Sequence, residues 1–203
     1  MLGAMARPCF KIEREYPEPL AGVDEAGCAP LAGPVVAAAV VLDRVHFPRG
    51  IDDSKLLPAP QREAICARLY KVAKVGVGIA TVEEIDRINI YWARMLAMSR
   101  AVEALGFDPA WILVDGNRCP RWERPSKAIV AKVTRDRIMC DYAKEHPGYG
   151  WENNKGYGTP EHYRGLDALG PTPLHRRSFA PVRACLEAKD GTAAIGSQQL
   201  LDV

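Results

Sequence analysis

The chain has 203 residues, of which 48% are hydrophobic and 26% charged, and a formal net charge of +2 at pH 7. That composition is globular and large enough to bury a core. It excludes a disordered tail, a collagen-like repeat and a membrane bundle, because no apolar run reaches the roughly eighteen residues of a membrane span. The charge is unevenly placed: residues 1–115 carry 13 Lys and Arg against 15 Asp and Glu, residues 116–185 carry 13 against 7, and residues 186–203 carry 1 against 3. A basic block after an acidic half suits a face for a polyanion beside a group of carboxylates; the alternative is a solvated basic surface.

The first residues, MLGAMARPCFKIERE, lack the apolar stretch of a signal peptide, so a cytoplasmic location is expected, with no membrane contact. Leu20 to Val23 is a short apolar run ending on Asp24-Glu25, and Gly27 to Pro34 (GCAPLAGP) is rich in turn residues. Val35 to Leu42 is a continuous Val/Ala run, which predicts a strand buried on both faces. Pro58 and Pro60 punctuate a helix start, and Gln61 to Ala73 carries Ile65, Leu69 and Val72 at helical spacing. Val75 to Ala80 reads as a strand. Glu83 to Leu105 reads as the longest helix, with Ile85, Ile88, Trp92, Met95, Ser99, Val102 and Leu105 near one face and Gly106 closing it.

Trp111 to Val114 is a short apolar strand ending on Asp115-Gly116. Ala128 to Val130 reads as a further strand and Lys132 to Glu145 as a helix. A glycine- and tyrosine-rich loop then leads to a helix from about Glu161 to Leu169. Strands first, then alternating helix and strand, predict an α/β fold: a mixed sheet flanked by helices. The expected organisation is one domain over residues 1–185, helical from about residue 140, with a loosely held tail over 186–203. The six cysteines form no Cys-x-x-Cys pair and the four histidines no metal-ligand spacing, which argues against a disulfide framework and a zinc site.

Two places carry acids where an apolar strand ends. Asp24-Glu25 follows a run that enters the core, where unpartnered charge is costly. Adjacent strand residues point to opposite faces, so both acids approach one ion only if the strand ends or bulges there. Asp115 ends the second apolar strand, the position where ligands gather in α/β sheets. Each is, by itself, also what a solvated strand end looks like. Three carboxylates brought together need a divalent cation between them, and hard oxygen donors favour Mg2+ or Mn2+. Such ions assist phosphodiester hydrolysis.

Asp53-Ser54-Lys55 offers a hydroxyl and an ammonium to phosphate oxygens, though a surface turn reads the same way. In Lys155-Gly-Tyr157-Gly-Thr159 two glycines let the backbone approach a ligand while the ring packs on a sugar or base. His175-Arg176-Arg177-Ser178-Phe179 sets two guanidiniums beside an aromatic ring, which suits backbone phosphates.

The stretches GVDEAGCAPLAGPVVAAAVVL, DDSKLL, ILVDGNRCP, AKVTRDRIM, NKGYGTPEHY and LGPTPLHRRSFAPV occur in this order over roughly residues 20–185. Together they resemble bacterial ribonuclease HII, the type 2 ribonuclease H family. The resemblance implies a ribonuclease H-like fold with a helical C-terminal part. It implies endonucleolytic cleavage of the RNA strand of RNA–DNA hybrids, and incision at ribonucleotides embedded in duplex DNA. Asp24, Glu25 and Asp115 match catalytic, metal-binding acids of the family, and the cofactor implied is Mn2+ or Mg2+. Tyr157 matches the tyrosine that senses the ribose 2′-hydroxyl, the group that separates RNA from DNA. Ser54, Lys55, Arg176 and Arg177 are expected at the nucleic acid, as is the turn Gly27-Cys28-Ala29.

The chain departs from the family in two places. The family usually reads Gly-Arg-Gly where this chain has Gly27-Cys28-Ala29, and Ala29 is expected to strain a backbone position that glycine accepts. Between Val130 and Ala131 the family normally carries a Gly-Asp-Ala turn whose aspartate is its fourth active-site acid; here the flanks are joined directly. Impaired catalysis is expected of such a chain, and the alternative reading is a homologue that binds hybrid without cutting it. The tail Gln199 to Val203 faintly resembles peptides that dock on sliding clamps, with an acid where those are apolar.

Overall fold

The computed structural model describes residues 13–52, 54–114 and 125–188. Its contacts divide the chain into two units. One is built from residues 1–28, 35–80 and 94–135, the other from residues 29–34, 81–93 and 136–203. The helical second unit thus takes in two short stretches from the first half of the sequence besides everything beyond residue 135.

The first unit is organised on the Val/Ala run. As predicted, it forms a strand, β2 (Val35–Val41), and six of its seven residues are buried. β1 (Leu20–Ala26) pairs with it antiparallel, β3 (Lys74–Ala80) antiparallel on its other side, and β4 (Trp111–Val114) parallel to β1. The sheet order is β3-β2-β1-β4, a mixed sheet as expected. On one face Ala38 and Val40 meet Ile65, Cys66 and Leu69 of α1 (Ala59–Val72) and Val130, Ala131 and Val133 of α3 (Pro125–Glu145). Burying each of the larger aliphatic side chains contributes roughly 1.5–3 kcal/mol.

The opposite face is built for close approach. A Cβ at Gly76 would lie 2.1 Å from the Ala101 carbonyl oxygen, and one at Gly78 2.1 Å from that of Ala97. Both alanines are fully buried on α2 (Val82–Glu103), so glycine on the strand and alanine on the helix bring the two backbones together. This shifts the buried face of the helix from the predicted one: Trp92 is 58% exposed and Ser99 exposed, while Ala97, Met98 and Ala101 are buried. The cause lies upstream. Asn89 has φ 65° and ψ 166°, which breaks the helix and resets its phase, a change that periodicity read straight through misses.

β4, at a sheet edge, is less covered than an all-apolar strand leads one to expect. Trp111, Ile112 and Val114 are 48%, 44% and 38% exposed. The strand predicted over Ala128–Val130 is instead part of α3. With the flanks joined directly, Val130, Ala131 and Val133 recur at helical spacing and are buried together. Among the described residues, no helix is long and apolar enough to cross a membrane.

The second unit is helical: the end of α3, α4 (Trp151–Asn154), α5 (Pro160–Leu169) and a helical stretch over residues 180–188. α5 starts on Thr159, whose hydroxyl accepts from the His162 amide at 3.3 Å, with Pro160 in the first turn. Leu31, Leu166 and Val182 form one buried cluster, and Ala32, Met139, Tyr149 and Trp151 another.

Candidate active site

Asp24 and Glu25 are the last but two and last but one residues of β1. Leu20, Ala21 and Val23 are buried, but the acids are only partly so. The strand neither ends nor bulges at the pair: Asp24 is registered with Ala38 and Glu25 with Ala37, and pairing continues to Ala26. By strand alternation the two carboxylates leave opposite faces of the sheet. An Asp24 carboxylate oxygen accepts from the Glu25 amide at 2.7 Å. Glu25 Oε1 accepts from Arg94 Nη1 at 3.3 Å and from Cys28 Sγ at 3.6 Å, and the Glu25 side chain keeps only 14% of its surface exposed. Arg94, on α2, is a site residue that no sequence motif pointed to. It lies 69 positions away, and only the packing of α2 on the sheet brings it there.

The parallel register bears on the third acid. Val23 pairs with Val114, so the residues that follow each in sequence are Asp24 and Asp115. Asp115 itself lies outside the described residues, as does Asp53. Among the described residues, no group of three or more His, Cys, Asp or Glu side chains is placed to hold a metal ion. Asp24 and Glu25 each supply hard oxygen donors of the kind Mg2+ and Mn2+ take, but from opposite faces of a strand whose pairing continues past them, so each fits as a donor to such an ion without the pair converging on one.

Of the expected nucleic-acid residues, Lys55 is exposed, whereas Ser54 is 6% exposed and its carbonyl accepts from Arg62 Nη1 at 3.1 Å. Gly27 sits at φ 94°. Ala29 is exposed without the expected strain: the non-glycine residues at positive φ among those described are Asn89 and Lys155. Cys28 is half-buried against Glu25.

The second unit joins three motifs that are far apart in sequence. Leu31 N donates to Gly156 O at 2.8 Å, Arg176 N to Leu31 O at 2.9 Å, and Gly33 N to Leu174 O at 2.9 Å, while Ala32 bridges His175. Thus GCAPLAGP, NKGYG and LHRRSF meet through their backbones. Gly156, at φ 83°, is required there, since a Cβ would stand 2.6 Å from the Ala32 carbonyl oxygen. Tyr157 follows with its side chain 42% exposed.

Arg176 is not where a phosphate contact was expected. It is fully buried, donating from Nε to Gly33 O at 2.9 Å and from Nη2 to Pro34 O at 3.3 Å, with its guanidinium 5.1 Å from the Phe179 ring centre. Its guanidinium is held inside, on loop carbonyls, and not offered to solvent. Arg177 is exposed, and its backbone is fixed by a second residue the sequence reading passed over: Asp86 accepts from Arg177 N at 3.0 Å, Ser178 N at 2.8 Å and Ser178 Oγ at 2.6 Å. Lys155 turns back to the Glu152 carbonyl and Cys140 Sγ. The tail Gln199 to Val203 lies outside the described residues.

Behind Tyr157, His162 and His175 are both fully buried. Burial pulls the pKa of His162 below the usual imidazole value and that of His175 down to about 3, the neighbouring His162 and His146 adding to the latter. Both rings are therefore neutral near pH 7. The sequence held one signal for them: buried Trp151 needs an acceptor for its indole N–H.

Comparison with known proteins bears on what this arrangement does. The family model described as ribonuclease HII matches residues 21–128 and 126–182, two stretches that meet close to the join between Val130 and Ala131. A ribonuclease HII of Rhizorhabdus wittichii is 63% identical over 193 residues, covering 88% of this chain and 96% of that protein. One from Parvibaculum lavamentivorans is 52% identical, covering 87% and 72%. Among solved structures, the ribonuclease H2 of Pyrococcus horikoshii matches with a TM-score of 0.65 at 26% identity, covering 83% of this chain and 97% of that one.

Proposed function

The chain belongs to the ribonuclease HII family, and from that premise we propose that it hydrolyses the RNA strand of RNA–DNA hybrids and incises duplex DNA at embedded ribonucleotides, using Asp24, Glu25 and Asp115 with Mn2+ or Mg2+. The observation that carries the reading is the parallel register of Val23 with Val114, which sets side by side the residues that immediately precede Asp24 and Asp115 in the sequence.

In this reading Asp24, Glu25 and Asp115 hold divalent ions. The chemistry a divalent ion supplies there is acidification of water and neutralisation of charge on the phosphodiester. Arg94 donates to the Glu25 carboxylate and restrains it, so less ordering of that group is left for the reaction. Water adds to phosphorus, the bond to the 3′-oxygen breaks, and the ends are a 5′-phosphate and a 3′-hydroxyl. Tyr157 tests the 2′-hydroxyl of the sugar. Exposed Lys55 and Arg177 meet backbone phosphates, while Gly27, Cys28 and Ala29 follow the strand past the acids. Arg176 and Ser54 serve by holding the loops.

The test is a duplex carrying one ribonucleotide, incubated with Mg2+ or Mn2+. Asp115→Asn and Asp24→Asn are each expected to lower the cleavage rate at least about a hundredfold, or about 2.7 kcal/mol of barrier, with hybrid binding retained. Wild-type cleavage by Asp115→Asn would remove that acid from the mechanism. A wild-type chain that binds the duplex and yields no product with either ion would leave only a binding protein.

A further inference from the structure

His162 and His175 are buried, and His162 hydrogen-bonds the backbone of exposed Tyr157. The spacing of His162 and His175 fits no metal. Their hydrogen bonds nevertheless admit one solution. Trp151 Nε1 is an obligatory donor, 3.1 Å from His162 Nε2, so that nitrogen must accept. A neutral His162 then carries its proton on Nδ1, which lies 2.9 Å from the Tyr157 carbonyl oxygen and donates to it. The Thr172 amide is a second obligatory donor, 2.9 Å from His175 Nδ1, so His175 carries its proton on Nε2, 3.1 Å from the His162 Nε2 acceptor. Two fixed donors set both tautomers: the single lone pair of His162 Nε2 is shared between the Trp151 and His175 N–H groups, and the His162 Nδ1 proton faces the Tyr157 carbonyl.

The surroundings hold the chain rigid. Tyr149 stacks on Trp151 with ring centres 5.0 Å apart, and Tyr149 Oη donates to Gly170 O at 2.6 Å. The His175 ring lies 4.9 Å from that of Tyr149 and 5.2 Å from those of Trp151 and His162. The Tyr157 carbonyl takes a second bond from Thr159 N at 2.8 Å. A carbonyl gripped by both has little freedom to rotate, and the side chain it orients is the exposed Tyr157 ring.

We propose that Trp151, His162 and His175 are positioning residues for sugar recognition, the Nδ1 proton of His162 setting the backbone of Tyr157 so that its ring meets the 2′-hydroxyl. The proposal rests on the reading of Tyr157 given above. It separates orientation from stability because the two nitrogens of His162 have different tasks. His162→Asn keeps a donor near the Nδ1 position and abandons the donors of Trp151 and His175. His162→Gln keeps a group near Nε2 and abandons the Tyr157 carbonyl. A ring that merely fills the core makes Asn the more damaging change, since it leaves two buried donors unpaired. A ring that positions Tyr157 makes Gln the more damaging one for recognition, whatever the order of stabilities.

The readout is the ratio of dissociation constants for an all-DNA duplex and the same duplex holding one ribonucleotide, measured by fluorescence anisotropy in EDTA so that nothing is cut. His162→Gln is expected to lose at least fivefold of that ratio, approaching Tyr157→Ala, while His162→Asn stays within about twofold of wild type despite the lower melting temperature. A folded His162→Gln that keeps the wild-type ratio when Tyr157→Ala loses it overturns the positioning role alone. Tyr157→Ala with an unchanged ratio overturns the sugar-sensing reading beneath it. Long-range proton–nitrogen NMR of the wild-type chain supplies the measurement that needs no variant: Nδ1–H at His162 and Nε2–H at His175 are expected, and Nε2–H at His162 overturns the proposal.

Discussion

Arg176 and Arg177 are adjacent, identical in type and opposite in task. One is fully buried with its guanidinium on the Gly33 and Pro34 carbonyls, the other exposed. Arg176→Met is expected to cost about 3 kcal/mol in urea unfolding, because two loop carbonyls lose a charged donor. Arg177→Ala is expected to leave the unfolding midpoint in place and to lower the slope of log affinity for duplex against log salt by about 1. Equal effects from the two variants on stability would refute the division. Gly156 makes a similar point about backbone. At φ 83°, with a Cβ position 2.6 Å from the Ala32 carbonyl oxygen, Gly156→Ala is expected to cost roughly 2 kcal/mol or more. Chemical denaturation of the purified variant checks this, and an unchanged midpoint would show that the two loops do not pack as described.

At the scale of elements, the break in α2 is the clearest case of local chemistry overriding a periodic pattern. Asn89 Oδ1 accepts from the amides of Tyr91 at 3.0 Å and Trp92 at 3.3 Å, capping the helix that restarts after it. The residue therefore serves twice, as a cap and as the holder of a positive φ. Asn89→Ala loses both and is expected to destabilise by about 2 kcal/mol; Asn89→Gly, which relieves the φ and loses only the cap, by about 1 kcal/mol or less. Thermal unfolding of the pair separates the terms, and a more stable Asn89→Ala would mean that the break is not maintained. Nothing in the spacing of Ile85, Ile88, Trp92 and Met95 announces this. The sole cue is an asparagine, a residue that favours caps and turns, in the middle of an apolar-periodic segment.

For the molecule as a whole, the buried imidazoles tie stability to pH. Both have folded-state pKa values below the ordinary one near 6.5. The unfolded chain thus binds protons that the folded chain refuses, and stability present above pH 6.5 is lost as the pH falls below it. His175 contributes a slope of up to roughly 1.4 kcal/mol per pH unit between its unfolded value near 6.5 and about 3, and His162 loses stability in the same direction. Urea midpoints between pH 7.5 and pH 5 are expected to fall accordingly, and His175→Phe to flatten the profile. A wild-type profile that is level over that range would contradict the burial of the pair.

What the sequence determined by itself was whatever depends on near neighbours and composition. The Val/Ala run could only be a buried strand, four strands fell where apolar runs stand between turn residues, and α5 was expected from about Glu161. Six ordered motifs were enough for the family. Asp24, Glu25 and Asp115 stood out as candidates too, because charge placed directly after an apolar run is locally anomalous. Only the tertiary structure decided the partners. Arg94 on Glu25, Asp86 under Arg177 and Ser178, and the carbonyls that bury Arg176 are brought together across 69 to 143 positions of chain. A side chain's task depends on what packing places beside it, and spacing along a chain carries no record of that. For the same reason two histidines without metal spacing looked inert, until the indole and amide donors around them settled where each proton sits.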